Sequence, residues 1–139
     1  MQIHQDTLQF STSGRNTYNI TDEIDAIVQQ SGIKTGLCHV FIHHTSASLI
    51  ITENADPDVR YDLETIFSRL APDGDPEFRH TLEGTDDMSA HVRNVLTNTE
   101  MSIPVTKGRS AMGTWQGLFL WEHRQGHFTR KVTVTVSGN

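Results

Sequence analysis

The chain has one cysteine, four prolines and aromatic side chains at only 7% of its 139 positions. A lone thiol cannot form an internal disulfide, and Cys38, set in Leu37-Cys38-His39-Val40-Phe41-Ile42, reads as a small buried apolar residue rather than a nucleophile. No apolar run approaches the roughly 18 to 20 residues of a membrane span, and no basic-then-apolar leader follows Met1. A soluble cytoplasmic protein is therefore expected, without a membrane partner. Gly-rich dinucleotide and P-loop spacings, internal repeats, low-complexity tracts and heptads are all missing. Bases are also short: 11 Lys and Arg against 17 Asp and Glu leave a net charge of -6, which excludes a general nucleic-acid binder resting on phosphate neutralisation. What remains is one domain over residues 1–139, long enough to bury roughly two thirds of its unfolded surface.

The charge is unevenly placed. Residues 53–87 hold eleven acids and three bases, a net of -8, whereas residues 105–139 hold Lys107, Arg109, Arg124, Arg130 and Lys131 against Glu122 alone, a net of +4. The basic stretch is a place for an anionic substrate group, with two solvated faces as the plainer alternative.

Residues 1–10 read as a polar edge strand and 11–16 as a loop. Thr21 can cap a helix whose apolar face is Ile24, Ile27 and Val28 and which stops at Gly32. A central strand over 35–43, a turn at 44–47 and a short strand over 48–53 follow. Asp56 at a cap and Pro57 at the first helical position start a helix with Val59, Leu63, Ile66, Phe67 and Leu70 on one face, ending before Pro72. An acidic loop with Pro72, Gly74, Pro76 and Gly84 leads to a third helix near Asp86, for which Met88, Val92, Val95 and Leu96 are the expected buried stripe. Asp87 and His91 share one helical face at its border. Strands over 99–105, 115–124 and 130–137 complete the chain, the last two expected to form a hairpin. The class predicted is α+β, with a mainly antiparallel sheet and two or three helices.

Chemistry concentrates in residues 40–57, where a strand runs into imidazoles, the hydroxyls of Thr45, Ser46 and Ser48, and the carboxylates Glu53 and Asp56. Adjacent His43 and His44 point to opposite faces, so at most one enters a pocket. Of the eight histidines, His4 and His127 fall where solvent is the default, and His39 and His123 read as structural strand residues. His43 or His44, with His80 and His91, leaves three imidazoles beside loops, the ligand set of a catalytic zinc with an open position. The spacing is not a local signature of the His-Glu-x-x-His kind.

His44-Thr45-Ser46-Ala47, Glu53-Asn54-Ala55-Asp56-Pro57-Asp58-Val59, His80, Asp87-x-x-x-His91-Val92 and Gly113-Thr114-Trp115-Gln116-Gly117 occur in the order found in the secondary thiamine-phosphate synthase family, the YjbQ-like proteins. The chain resembles that family over nearly its whole length. The resemblance implies a YjbQ-like α+β homotrimer in which His44, favoured over His43, joins His80 and His91 as metal ligands. It further implies His44, His91, Glu53 and Asp87 as catalytic positions, and Thr45, Ser46, Asn54, Asp56, Trp115 and Gln116 as substrate-binding ones. The activity implied joins a hydroxymethylpyrimidine pyrophosphate to a thiazole phosphate and releases pyrophosphate, with a divalent metal, zinc or a magnesium carried by the pyrophosphate.

That displacement needs charge stabilisation on the leaving group, which Lys107 or Arg109 could supply beside the metal, and an aromatic wall, which Trp115 could supply. Metal-assisted hydrolysis of a small metabolite suits the same groups. A non-catalytic trimer that binds metal or metabolite is the third reading, marked by a closed four-ligand site.

Overall fold

Alternation along the last strand builds the interior: Val132, Val134 and Val136 all face one side and are fully buried. The computed structural model describes residues 1–139. In chain order its elements are β1 (Gln2–Ser13), β2 (Asn16–Asn19), α1 (Thr21–Ser31), β3 (Thr35–Ile42), β4 (Ala47–Glu53), α2 (Pro57–Leu70), α3 (Asp87–Leu96), β5 (Glu100–Thr106), β6 (Arg109–Ser110), β7 (Gln116–Glu122) and β8 (His127–Gly138). They form a five-stranded sheet, β1-β8-β3-β5-β6, and a three-stranded sheet, β2-β7-β4. Every pairing is antiparallel. No helix is long and apolar enough to cross a membrane.

The main core joins the inner faces of both sheets to α1. Ile24, Ile27 and Val28 of α1 meet Val40 and Ile42 of β3, Leu49 of β4, and Leu118 and Leu120 of β7. The alternate residues of β7, Phe119 and Trp121, face outward into a second cluster with Ile50, and there α2 lays Leu63 and Phe67 over them. Because β7 is covered on both faces, residues 117–122 are all buried. At the edge of the core Gly36 pairs with Gly138, and a Cβ on either would collide with backbone of the facing strand.

The expected hairpin of the last two strands does not form. β7 uses both of its edges on β2 and β4, while β8 uses both on β1 and β3, so the turn at Gly126 carries the chain from one sheet to the other. Thr21 is not a cap either; it is the first helical residue, and its hydroxyl accepts the Leu118 N–H at 2.9 Å. Asp56 does cap α2, accepting the Asp58 N–H at 2.9 Å. β2 lies in the region read as loop and connector, where a four-residue strand of Asn, Thr and Tyr offers little period to detect.

The third helix is turned the opposite way from its hydrophobic pattern. α3 buries Asp87, Ser89, Ala90, Arg93 and Asn94, while Val95 and Leu96 of the expected buried stripe are 80% and 54% exposed. Dedicated partners make this possible. Arg93 donates to both Glu64 oxygens of α2, at 2.9 and 2.8 Å, and Asn94 donates to the Ala47 and His44 carbonyls at 2.7 and 3.2 Å.

Among the buried polar groups, His123 bonds Ser48 Oγ through Nε2 at 2.7 Å, and Thr97 donates to the same hydroxyl at 2.6 Å. Burial, reinforced by Arg93, Arg15 and Arg130, pushes its pKa down to about 3. The fold thus holds only neutral His123, whereas the unfolded chain takes up a proton near pH ~6.5. Stability from this residue is complete above about pH 6.5 and is lost as pH falls toward the folded value, by up to ~1.4 kcal/mol per pH unit. Urea unfolding should give about 2 kcal/mol less stability at pH 5 than at pH 7. His123→Gln, which can still bond Ser48, should flatten this dependence to the part that His44 contributes. An unchanged slope in the variant would refute the assignment.

Candidate metal centre

Three groups converge where α3 begins. The ligand atoms of His80, Asp87 and His91 all lie within 4.8 Å of one another. Asp87 and His91 are one helical turn apart on α3, and His80 comes from the acidic loop before it. His80 Nε2 is 2.6 Å and His91 Nε2 3.0 Å from the same oxygen, Asp87 Oδ2. The carboxylate is buried and the two imidazoles are partly open to solvent. Burial would raise the Asp87 pKa, but the His80 hydrogen bond, with His91 and Arg124 beside it, outweighs that and holds it below the ordinary carboxylate value.

The tautomer of His91 follows from its other nitrogen. Nδ1 lies 2.8 Å from the Thr45 carbonyl, which can only accept, so Nδ1 carries the proton. In the neutral ring Nε2 is then a bare lone pair aimed at a carboxylate oxygen. Nε2 faces the carboxylate at 3.0 Å, where a cation, either a proton or a metal ion, joins the two, and a histidine whose far nitrogen donates to a main-chain carbonyl has the orientation typical of metal ligands. Two imidazoles and one carboxylate fit a first-row divalent ion with coordination positions left for water or substrate.

The loop that carries His80 is held firmly. Arg15 grips Asp73 through two bonds of 3.0 and 2.8 Å, and Ser89 donates to the same carboxylate. Arg124 donates to the Glu83 carbonyl at 2.8 Å and to Asp86 at 3.2 Å, and its Nε lies 3.4 Å from Asp87.

His44 is turned elsewhere. Its Nε2 accepts the Lys131 N–H at 2.7 Å, and its Nδ1 lies 3.5 Å from Arg130 Nη1. In this geometry neither nitrogen of neutral His44 offers a free lone pair to a metal. Burial first, then the Arg130 charge, lowers its pKa. His43 points to the outer face of the five-stranded sheet and bonds Thr133 at 2.7 Å. Thr45 serves through its carbonyl, and Ser46 accepts from Arg130 Nη2 at 3.0 Å.

The remaining expected site residues stand at the other end of β4. That strand has seven residues, so Glu53 lies about 20 Å from Ala47 at ~3.3 Å per residue. There Glu53 accepts the Asp56 N–H at 2.9 Å, and Asn54 donates to the Thr114 and Gln116 carbonyls at 3.2 and 3.3 Å. Gln116 accepts the Gly113 N–H at 2.7 Å. These contacts clamp the start of α2 to the loop before β7 and leave Trp115 64% exposed. Lys107 and Arg109 flank the β5–β6 turn, beyond the end of β5 that pairs with the start of β3. One chain therefore unites His80, Asp87 and His91 but does not bring Trp115, Gln116, Lys107 or Arg109 to them.

The sequence placed Arg130 in a basic stretch with Glu122 as its lone acid, but did not foresee that the two pair in the interior, although a signal was present. Arg130 keeps the phase of Val132, Val134 and Val136, and Glu122 that of Leu118 and Leu120, so each strand carries a charge on its apolar face. Glu122 receives Arg130 Nε at 2.7 Å, Arg130 Nη2 at 2.5 Å, Thr12 Oγ1 at 2.6 Å and the Arg124 N–H at 3.1 Å.

A small antiparallel α+β protein, with two histidines and a carboxylate gathered at the start of its third helix, is the class defined by these features. The chain belongs to the UPF0047 protein YjbQ-like family, whose sequence profile matches residues 6–139. It is 55% identical over 135 residues to a UPF0047 protein of Synechocystis, covering 97% of this chain and 92% of that one. With UPF0047 protein YjbQ of Escherichia coli O157:H7 it shares 40% identity over 136 residues, covering 97% and 98%. The solved structure of a YbjQ-like protein of unknown function from Sulfolobus solfataricus superposes with a TM-score of 0.90 at 28% identity, over 99% of each chain. A conserved hypothetical protein from Thermus thermophilus gives 0.85 at 34% identity, over 95% of this chain and 99% of that one.

Glu122→Ala should leave Arg130 charged and unpaired in the interior and lower stability by about 3–5 kcal/mol, read by urea denaturation. A loss below 1 kcal/mol would show that the pair is not the buried anchor described.

Proposed function

We propose that the protein is a divalent-metal-dependent enzyme, with zinc the first choice, that hydrolyses a small metabolite at His80, Asp87 and His91. The observation that carries this reading is the convergence of His80, Asp87 and His91, whose ligand atoms lie within 4.8 Å of one another, with the His91 ring oriented through Nδ1 by the Thr45 carbonyl. An ion held there would supply Lewis-acid polarisation and acidify a water. The chain's own groups prepare for it. Thr45 fixes the His91 ring, the His80 hydrogen bond with His91 and Arg124 beside it keeps Asp87 ionised, and the half-open His80 side chain leaves an approach from solvent.

The synthase chemistry implied by the family resemblance asks for a second substrate, a cation for the pyrophosphate and an aromatic wall. Lys107, Arg109 and Trp115 would have to come from a neighbouring copy, because in one chain Trp115 stands at the far end of β4 and Lys107 and Arg109 at the β5–β6 turn. Hydrolysis needs none of them.

After chelation and reloading, wild type should hold about one divalent ion per chain by elemental analysis. Asp87→Asn and His91→Ala should each weaken metal affinity at least tenfold. Equal metal in wild type and His91→Ala would refute the centre. With metal bound, product release from candidate phosphorylated or heterocyclic substrates should not depend on a second substrate. Release of pyrophosphate only when a thiazole phosphate is added would favour the synthase.

Self-association belongs to the same proposal. The outward apolar stripe of α3 and the uncovered face of the five-stranded sheet, with Ile3 and Leu37 70% and 51% exposed, support packing between copies, and three is the number the resemblance implies. Light scattering should give a mass well above the 15.6 kDa of one chain, and Leu96→Glu should reduce it to that value. A monomeric wild type, or an unaltered mass in Leu96→Glu, would remove this stripe from any interface.

A further inference from the structure

His44 and Arg130 present two hydrogen-bond donors to each other with nothing to accept them. The Lys131 main-chain N–H always carries its proton and lies 2.7 Å from His44 Nε2. Nε2 must therefore be the acceptor, and the one proton of the neutral ring sits on Nδ1. Nδ1 faces Arg130 Nη1 at 3.5 Å, and a guanidinium nitrogen can only donate. Arg130 itself is 5% exposed. Its Nε and Nη2 are spent on Glu122 and Ser46, whereas Nη1 has no hydrogen-bond partner but His44. His44 and Arg130 both line a cavity of about 430 Å³ whose walls also include Phe41, Thr45 and Thr99.

We propose that His44 and Arg130 form an oxyanion site that takes the phosphate group of a small phosphorylated molecule. One oxygen placed about 2.8–3.0 Å from each nitrogen satisfies both donors at once, and a charged acceptor turns the repelling pair into two charge-assisted hydrogen bonds. Glu122 fixes the guanidinium plane from behind and Asn94 holds the His44 carbonyl at 3.2 Å, so the donors are positioned before any ligand arrives. A second depression of about 670 Å³ adjoins through His43 and His44 and brings Lys131 to the mouth, a further cation for the remaining phosphate oxygens. The site does not depend on the metal centre. It draws Arg130 and Lys131 from the basic stretch of residues 105–139, and not the Lys107 or Arg109 considered for the leaving group.

The test uses chelated, metal-free protein and inorganic phosphate, with sodium chloride at matched ionic strength as control. Nitrogen-15 NMR of the histidine rings should show a saturable phosphate-dependent shift at His44 Nδ1, which chloride does not reproduce. His44→Ala should weaken phosphate at least tenfold with its thermal midpoint retained. Arg130→Lys, which keeps a cation beside Glu122 but lacks Nη1, should weaken it similarly, and Lys107→Ala should bind like wild type. No saturable shift at His44, or equal phosphate affinity in the folded His44→Ala and Arg130→Lys proteins, would overturn the site. Acetate binding as tightly as phosphate would overturn the assignment to phosphate.

Discussion

The ion pair between Glu122 and Arg130 joins what strand pairing leaves apart. β7 and β8 lie in different sheets, and the carboxylate of one receives the guanidinium of the other within the interior, with Thr12 of β1 as a third partner. Withdrawing each charge from water costs several kcal/mol, and that cost is offset only when the remaining hydrogen-bonding positions are filled. All four donors around Glu122 are present. From this anchor order passes outward in short steps. Arg130 holds the Ser46 hydroxyl, His123 N–H holds the Ser46 carbonyl at 3.2 Å, and the neighbouring Thr45 carbonyl sets the ring of His91. The orientation of a candidate metal ligand thus rests on a buried charge pair, a use for an arginine in phase with valines.

α3 obeys the same economy of polar groups rather than hydrophobic patterning. Its inner face carries an arginine, an asparagine and an aspartate, each with a named partner on another element, and Val95 and Leu96 are left outside. Exposed apolar area forgoes roughly 25 cal/mol per Å² that burial would supply, so a helix turned this way has a use for its polar side or a cover for its apolar one. Here the polar side holds Asp87 against Arg124 and places Asn94 on the 44–47 turn. His91 lies between the two sides, at the border of the candidate metal centre and the outward stripe.

Charge asymmetry in the chain resolves into specific contacts. The acidic segment is fastened by Arg15 at Asp73 and by Arg124 at Asp86 and Asp87, so His80 rides on an anchored loop. Arg15 comes from the first turn of the chain and Arg124 from the last, and neither could be matched to its acid by position along the sequence.

Local chemistry alone determined much of the molecule. The cap at Asp56 with Pro57, the stop at Gly32, the central strand over Thr35–Ile42, the polar edge strand and the α+β class all follow from residues a few positions apart, where period and turn chemistry act. The same reach put Asp87 and His91 on one helical face, and matching blocks pointed to the YjbQ-like family, the part of the resemblance that the comparisons established. What tertiary structure decided is every matter that depends on residues far apart in the chain. Those matters are the division into two sheets, the failure of the last hairpin, the outward turn of α3, and the burial of Arg130 against Glu122. The separation of Trp115, Lys107 and Arg109 from the histidines is of this kind too. A helix pattern records which residues are apolar, but which face is buried depends on partners such as Glu64 and the Ala47 carbonyl, and their positions exist only once the chain has folded.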